Sequence, residues 1–144
     1  MGLKGLAITG DSNNPKYLKA HTLKPLTHLQ SLYWLSLAAV IAENDGLLPL
    51  AKLKNLKYLM ISNKYKMEDV AALAGARPDI ECRFFKPVSK LSHVFDCKKC
   101  GEHKMVLPTG KGMPFMCQSC DAKRIDDHIK RFNEIAKEYS TWSA

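Results

Sequence analysis

The sequence predicts an α/β fold: a short stack of parallel strands alternating with short helices, then a small cysteine-rich hairpin unit and a C-terminal helix. Three observations carry this expectation. Leu23, Leu26, Leu29, Leu32, Leu35 and Leu37 recur twenty-four positions later as Leu47, Leu50, Leu53, Leu56, Leu59 and Ile61, and a fixed period marks a solenoid whose units bury their apolar faces only against neighbours. Four of the five cysteines fall in two Cys-x-x-Cys pairs. Beyond them Ile125, Ile129, Phe132, Ile135, Ala136 and Tyr139 recur at helical spacing.

In chain order, Leu3, Leu6 and Ile8 give a first strand with the same spacing as the later ones. The polar run Asp11-Ser12-Asn13-Asn14-Pro15 is a loop that absorbs the extra residues before the next strand. Segments around 17–30, 45–55 and 67–76 return as short helices, the last with Val70 and Leu73 facing inward. A degenerate fourth strand is expected over 80–85, with Ile80, Cys82 and Phe84 inward. Strand alternation then places Gly5, Ala7, Trp34, Ser36, Tyr58, Met60, Arg83 and Phe85 outward, in rows about 4.8 Å apart across parallel neighbours.

The pattern Leu-x-x-Leu-x-x-Leu-x-Leu/Ile, seen at Leu29–Leu37 and Leu53–Ile61, resembles the leucine-rich repeat family. The resemblance implies a short leucine-rich-repeat solenoid over residues 1–88, with about three to four repeats, parallel strands on a concave face and short helices on a convex one. It departs from the family in lacking the Asn that commonly follows the strand, where this chain has Asp11, Val40 and Lys64. Such a solenoid is a binding surface, so the resemblance implies a non-enzymatic protein–protein interaction module. The outward row Trp34, Ser36, Tyr58, Met60, Arg83 and Phe85 has the aromatic, Met and Arg composition of a binding hot spot and is the expected contact set. The first strand has nothing ahead of it to cover its edge, which points to a piece of a longer array or to self-association through that edge.

Residues 89–144 form the second expected domain. Cys97 and Cys100, then Cys117 and Cys120 after a sixteen-residue excursion, match zinc-ribbon spacing. A two-residue gap lets one tight knuckle turn both thiolates to a point, with Gly101 giving backbone freedom after the first. The excursion holds Pro108-Thr109-Gly110-Lys111-Gly112 between two apolar runs, which is the hairpin that brings the knuckles together. Four thiolates leave no open position, so one structural Zn2+ is expected, with His103 and His128 as less suited alternatives. Asp121 is the expected N-cap of the final helix.

Lys and Arg number 22 against 14 Asp and Glu, a formal net charge of +8. The excess is spread along both parts and by itself points weakly to an anionic partner; the ribbon's Lys98, Lys99, Lys104, Lys111, Lys123 and Arg124 make nucleic-acid binding the alternative function. No apolar stretch nears 18 residues and no basic-then-apolar leader is present, so a cytoplasmic protein without membrane contact is expected. Free cysteines suit a reducing compartment. No phosphate loop, nucleophile elbow or open metal site is present, and Cys82 reads as a small buried hydrophobe.

Overall fold

The computed structural model describes residues 2–8, 18–91 and 95–142. In chain order these form β1 (Gly5–Ala7), β2 (Leu18–Ala20), β3 (Trp34–Leu37), β4 (Val40–Ala42), β5 (Tyr58–Ile61), α1 (Met67–Ala76), β6 (Val88–Lys90), β7 (Met105–Pro108), β8 (Met116–Cys117) and α2 (Ala122–Tyr139). Two 3-10 turns, Lys24–His28 and Leu48–Lys52, separate the early strands. Each has Pro in its first turn, where no donor is needed.

The strands make three small separate sheets. The first is parallel, order β1-β3-β5, with Gly5, Trp34 and Tyr58 in register and Leu6, Leu35 and Leu59 beside them. The second pairs β2 with β4 in parallel, and the third is antiparallel, order β6-β7-β8. One core runs through Leu35, Leu37, Leu50, Leu53, Leu59 and Leu73 and takes in Phe132 and Ile135 from α2. The third sheet has its own cluster, Val106 and Met116 against Ile125.

This architecture overturns the expected solenoid. Among the described residues the chain is a small α/β structure of two α-helices and three sheets, and the parallel first sheet does not continue as a closed repeat array. Where a fourth strand was expected, Glu81 makes one isolated parallel bridge to Tyr58, and Phe85 is tied back by a turn from its N–H to the Cys82 carbonyl. The physical reason lies at Arg77-Pro78-Asp79. Arg77 donates to the carbonyls of Leu53 at 2.7 Å and Leu56 at 3.0 Å, and grips Asp79 at 2.9 Å. That clamp sets the path of the chain out of α1, and the turn from Cys82 to Phe85 ends the pairing beyond Glu81. The layer beyond is a helix pair instead, with α2 laid on α1 so closely that a Cβ on Gly75 would meet the Ala136 Cα at 2.8 Å.

The helix over 67–76 stands where the sequence put it, and α2 begins one residue after Asp121. The expected loop 11–15 lies outside the described residues. The division placed after residue 88 falls inside β6, which pairs with β7. The hairpin turn of the third sheet docks on the chain before α1: Gly110 N–H donates to Asn63 Oδ1 at 2.8 Å, and Lys111 N–H to the Tyr65 carbonyl at 2.8 Å.

Candidate metal centre and binding face

The two knuckles are built by local backbone bonds. Gly101 N–H donates to the Cys97 carbonyl at 2.8 Å, with Gly101 at φ +73°, a left-handed conformation that favours glycine. Asp121 N–H closes the second knuckle on the Cys117 carbonyl at 2.9 Å, and α2 starts immediately after it. The hairpin β7–β8 pairs Met105 with Cys117 and so carries the second pair of cysteines back to the first.

The result is a cluster in which the sulfurs of Cys97, Cys100, Cys117 and Cys120 all lie within 4.8 Å of one another. Cys97 and Cys120 stand 3.8 Å apart, and Cys100 and Cys117 3.7 Å. A disulfide would hold its sulfurs at about 2.05 Å. Four sulfurs at about 2.3 Å from a central ion form a tetrahedron with edges of about 3.8 Å, which these spacings match. The residues therefore fit one metal ion such as zinc. Cys97 and Cys117 are buried on the inner side, and Cys100 and Cys120 form the exposed rim. His103 hydrogen-bonds Asp96 at 2.6 Å, and neither it nor His128 belongs to the cluster.

The thiols do not ionise alike. The backbone N–H groups of Cys100 and Lys99 hold the Cys97 thiol down to about 7. The neighbouring thiols of Cys100 and Cys97 push Cys120 up to about 12. A thiolate beside other thiols makes further loss of protons costly, as the raised Cys120 shows, and a divalent cation relieves that repulsion. Asp121 has a role the sequence did not reveal. Its side chain makes no cap bond to α2; its Oδ2 accepts the Cys117 N–H at 3.0 Å instead. The expected N-cap is thus a brace for the second knuckle, and Asp at the residue after a Cys-x-x-Cys was the available signal.

The expected contact set is brought together in part. Trp34, Tyr58, Met60 and Arg83 line one groove of about 670 Å³, together with Ile80 and Cys82. Ser36 shares the row of Ala7 and Met60 in the sheet register but is buried. Phe85 is half-buried against the core, off any strand. Two residues near this face escaped the sequence reading. Tyr33, one position before β3, is 44 % exposed and meets the Tyr58 ring edge-on, centroids 5.3 Å apart. Lys57 sets its ammonium 5.7 Å from the centre of the same ring.

Cys82 is half-buried, and burial pushes its thiol up to about 11, so it is not a thiolate at neutral pH. No described helix is long and apolar enough to cross a membrane. No family model, curated protein or solved structure matches the chain, so these comparisons lend no support to membership of the leucine-rich repeat family.

Proposed function

We propose that the chain is a non-enzymatic protein-binding module, in which the open face of the first sheet takes a protein partner and a zinc ribbon fixes the C-terminal unit. The observation that carries the reading is the groove shared by Trp34, Tyr58, Met60 and Arg83, three side chains with hot-spot chemistry and one flexible Met on adjacent elements. Cys97, Cys100, Cys117 and Cys120 would hold the ion, whose part is structural: it ties two knuckles and the start of α2 into one unit. Four free thiols in such a site suit a reducing cytoplasm.

Substituting Trp34→Ala together with Tyr58→Ala tests the face. Proteins that co-purify with the native chain should be lost from the variant while circular dichroism and zinc content stay the same. Retention of the same partners by the folded variant would rule the face out.

One observation favours a second reading, nucleic-acid binding by the ribbon. Phe95 and Phe115 form an exposed edge-to-face pair, centroids 5.2 Å apart, near the exposed Lys98 and Lys99. Retention on single-stranded DNA that falls steeply with salt and disappears in Phe115→Ala would favour it.

A further inference from the structure

We infer that the open face of the first sheet takes an acidic peptide segment carrying one large apolar side chain, the anchor entering between Trp34 and Met60 and its carboxylates meeting Lys57, Lys4 and Arg83. The inference rests on the protein-binding reading above and names the chemistry of the partner.

The anchor site is built before any ligand arrives. Gly5 lies opposite Trp34 in the sheet, and a Cβ at Gly5 would stand 3.2 Å from the indole Cε3. The missing side chain gives the indole its place over β1. Tyr58 is next in the same row, and its ring is fixed by its contact with Tyr33. Met60, 53 % exposed, forms one wall of the groove, and Ile80 and Cys82 form another. Rigid aromatic floors lose little freedom on binding, and a flexible Met adapts to the side chain it meets.

Charge decides what surrounds the anchor. A second depression of about 810 Å³ is lined by Tyr33, Lys4, Lys54 and Lys57 among others, and it meets the first at the Tyr33–Tyr58 pair. Arg83 lines the first groove. Two acids also line these depressions, Asp79 and Glu81. Asp79 is neutralised by Arg77 at 2.9 Å and 2.8 Å, which leaves four cations against Glu81. A surface so arranged attracts carboxylates and repels basic segments.

A nucleic acid fits the same face less well. Base stacking needs open ring faces, whereas Lys57 sits over the Tyr58 ring and Tyr33 closes on it edge-on.

The test is selection of a random peptide library on the full chain in the presence of zinc, with the Trp34→Ala/Tyr58→Ala variant as counter-target. Enrichment of peptides with several Asp or Glu around one Trp, Phe or Leu is the expected result. Lys57→Glu with Arg83→Glu should then weaken those peptides about tenfold or more. Enriched peptides that are neutral or basic, yet still discriminate against the counter-target, would overturn the acidic chemistry and leave the binding face standing. Equal capture by both targets would overturn the face itself. Preferential capture of oligothymidine over every peptide would overturn a peptide occupant. Met60→Glu, at an exposed position, should weaken the same peptides and keeps the test decisive if the double variant does not fold.

Discussion

Gly75 and Ala136 mark the point where α1 and α2 touch backbone to backbone; a methyl group on Gly75 would collide with the Ala136 carbonyl. The N-terminal and C-terminal parts of the chain thus share a packed helix pair, with Phe132 and Ile135 completing the same core as Leu35 and Leu59.

Gly75→Ala should therefore separate the helices even though alanine is the better helix former. A loss of about 1–3 kcal/mol is expected in urea unfolding. An unchanged or raised midpoint would mean the helices can slide apart at no cost.

Metal should govern the C-terminal unit. Cys97→Ser is expected to drop bound zinc from one ion per chain toward none and to broaden or lose the amide signals of β7, β8 and the start of α2. Asp121→Ala removes the brace on the Cys117 N–H and should weaken zinc binding by about tenfold, because that hydrogen bond holds a ligand-bearing turn in place. Competition against a chromophoric chelator measures both.

Arg77 donates to the carbonyls of Ala51, Leu53 and Leu56, at and just beyond the end of the Leu48–Lys52 turn, and it does so from a largely buried position. Arg77→Met keeps most of the apolar stem and deletes the donors. About 2–3 kcal/mol should be lost in denaturant titration. Lysine in its place should rescue little, because one ammonium cannot reach three carbonyls and a carboxylate together.

Alkali should unfold the chain through Tyr65. Its hydroxyl donates to the Val40 carbonyl at 2.8 Å, and burial pushes its pKa from 10 up to about 12. A group whose folded value is raised keeps its full stabilising effect below its unfolded value, here about pH 10, and loses it as pH rises through about 12. Tyr65→Phe should lower stability at pH 8 by about 1 kcal/mol and flatten the fall between pH 10 and pH 12. An equally steep fall in the variant would assign it to other groups.

Local pattern made much of this legible. Alternation around Leu35 and Leu59 set the strand parity that puts Trp34 and Tyr58 side by side, and cysteine spacing set the cluster. The helical period from Ile125 to Tyr139 gave α2 to within a residue. What the pattern could not supply was how far the stack continues. The twenty-four-residue period speaks for coils that resemble each other, and nothing in it announces that Arg77 clamps the chain or that α2, far along the sequence, packs on α1. β2 and β4 are three residues each and have no apolar period, so only their pairing across the fold makes them strands. Ser36 shows the same limit, since alternation gives the side of a strand but not the depth of its neighbours.

Phe132 and Ile135 stand near the end of the chain yet complete the core begun by the leucines of β3 and β5. A chain that has emerged only as far as α1 lacks both of these side chains. A core assembled from segments this far apart in sequence cannot close locally, so any partly made or partly unfolded chain without α2 in place leaves apolar surface open to chaperones and to aggregation.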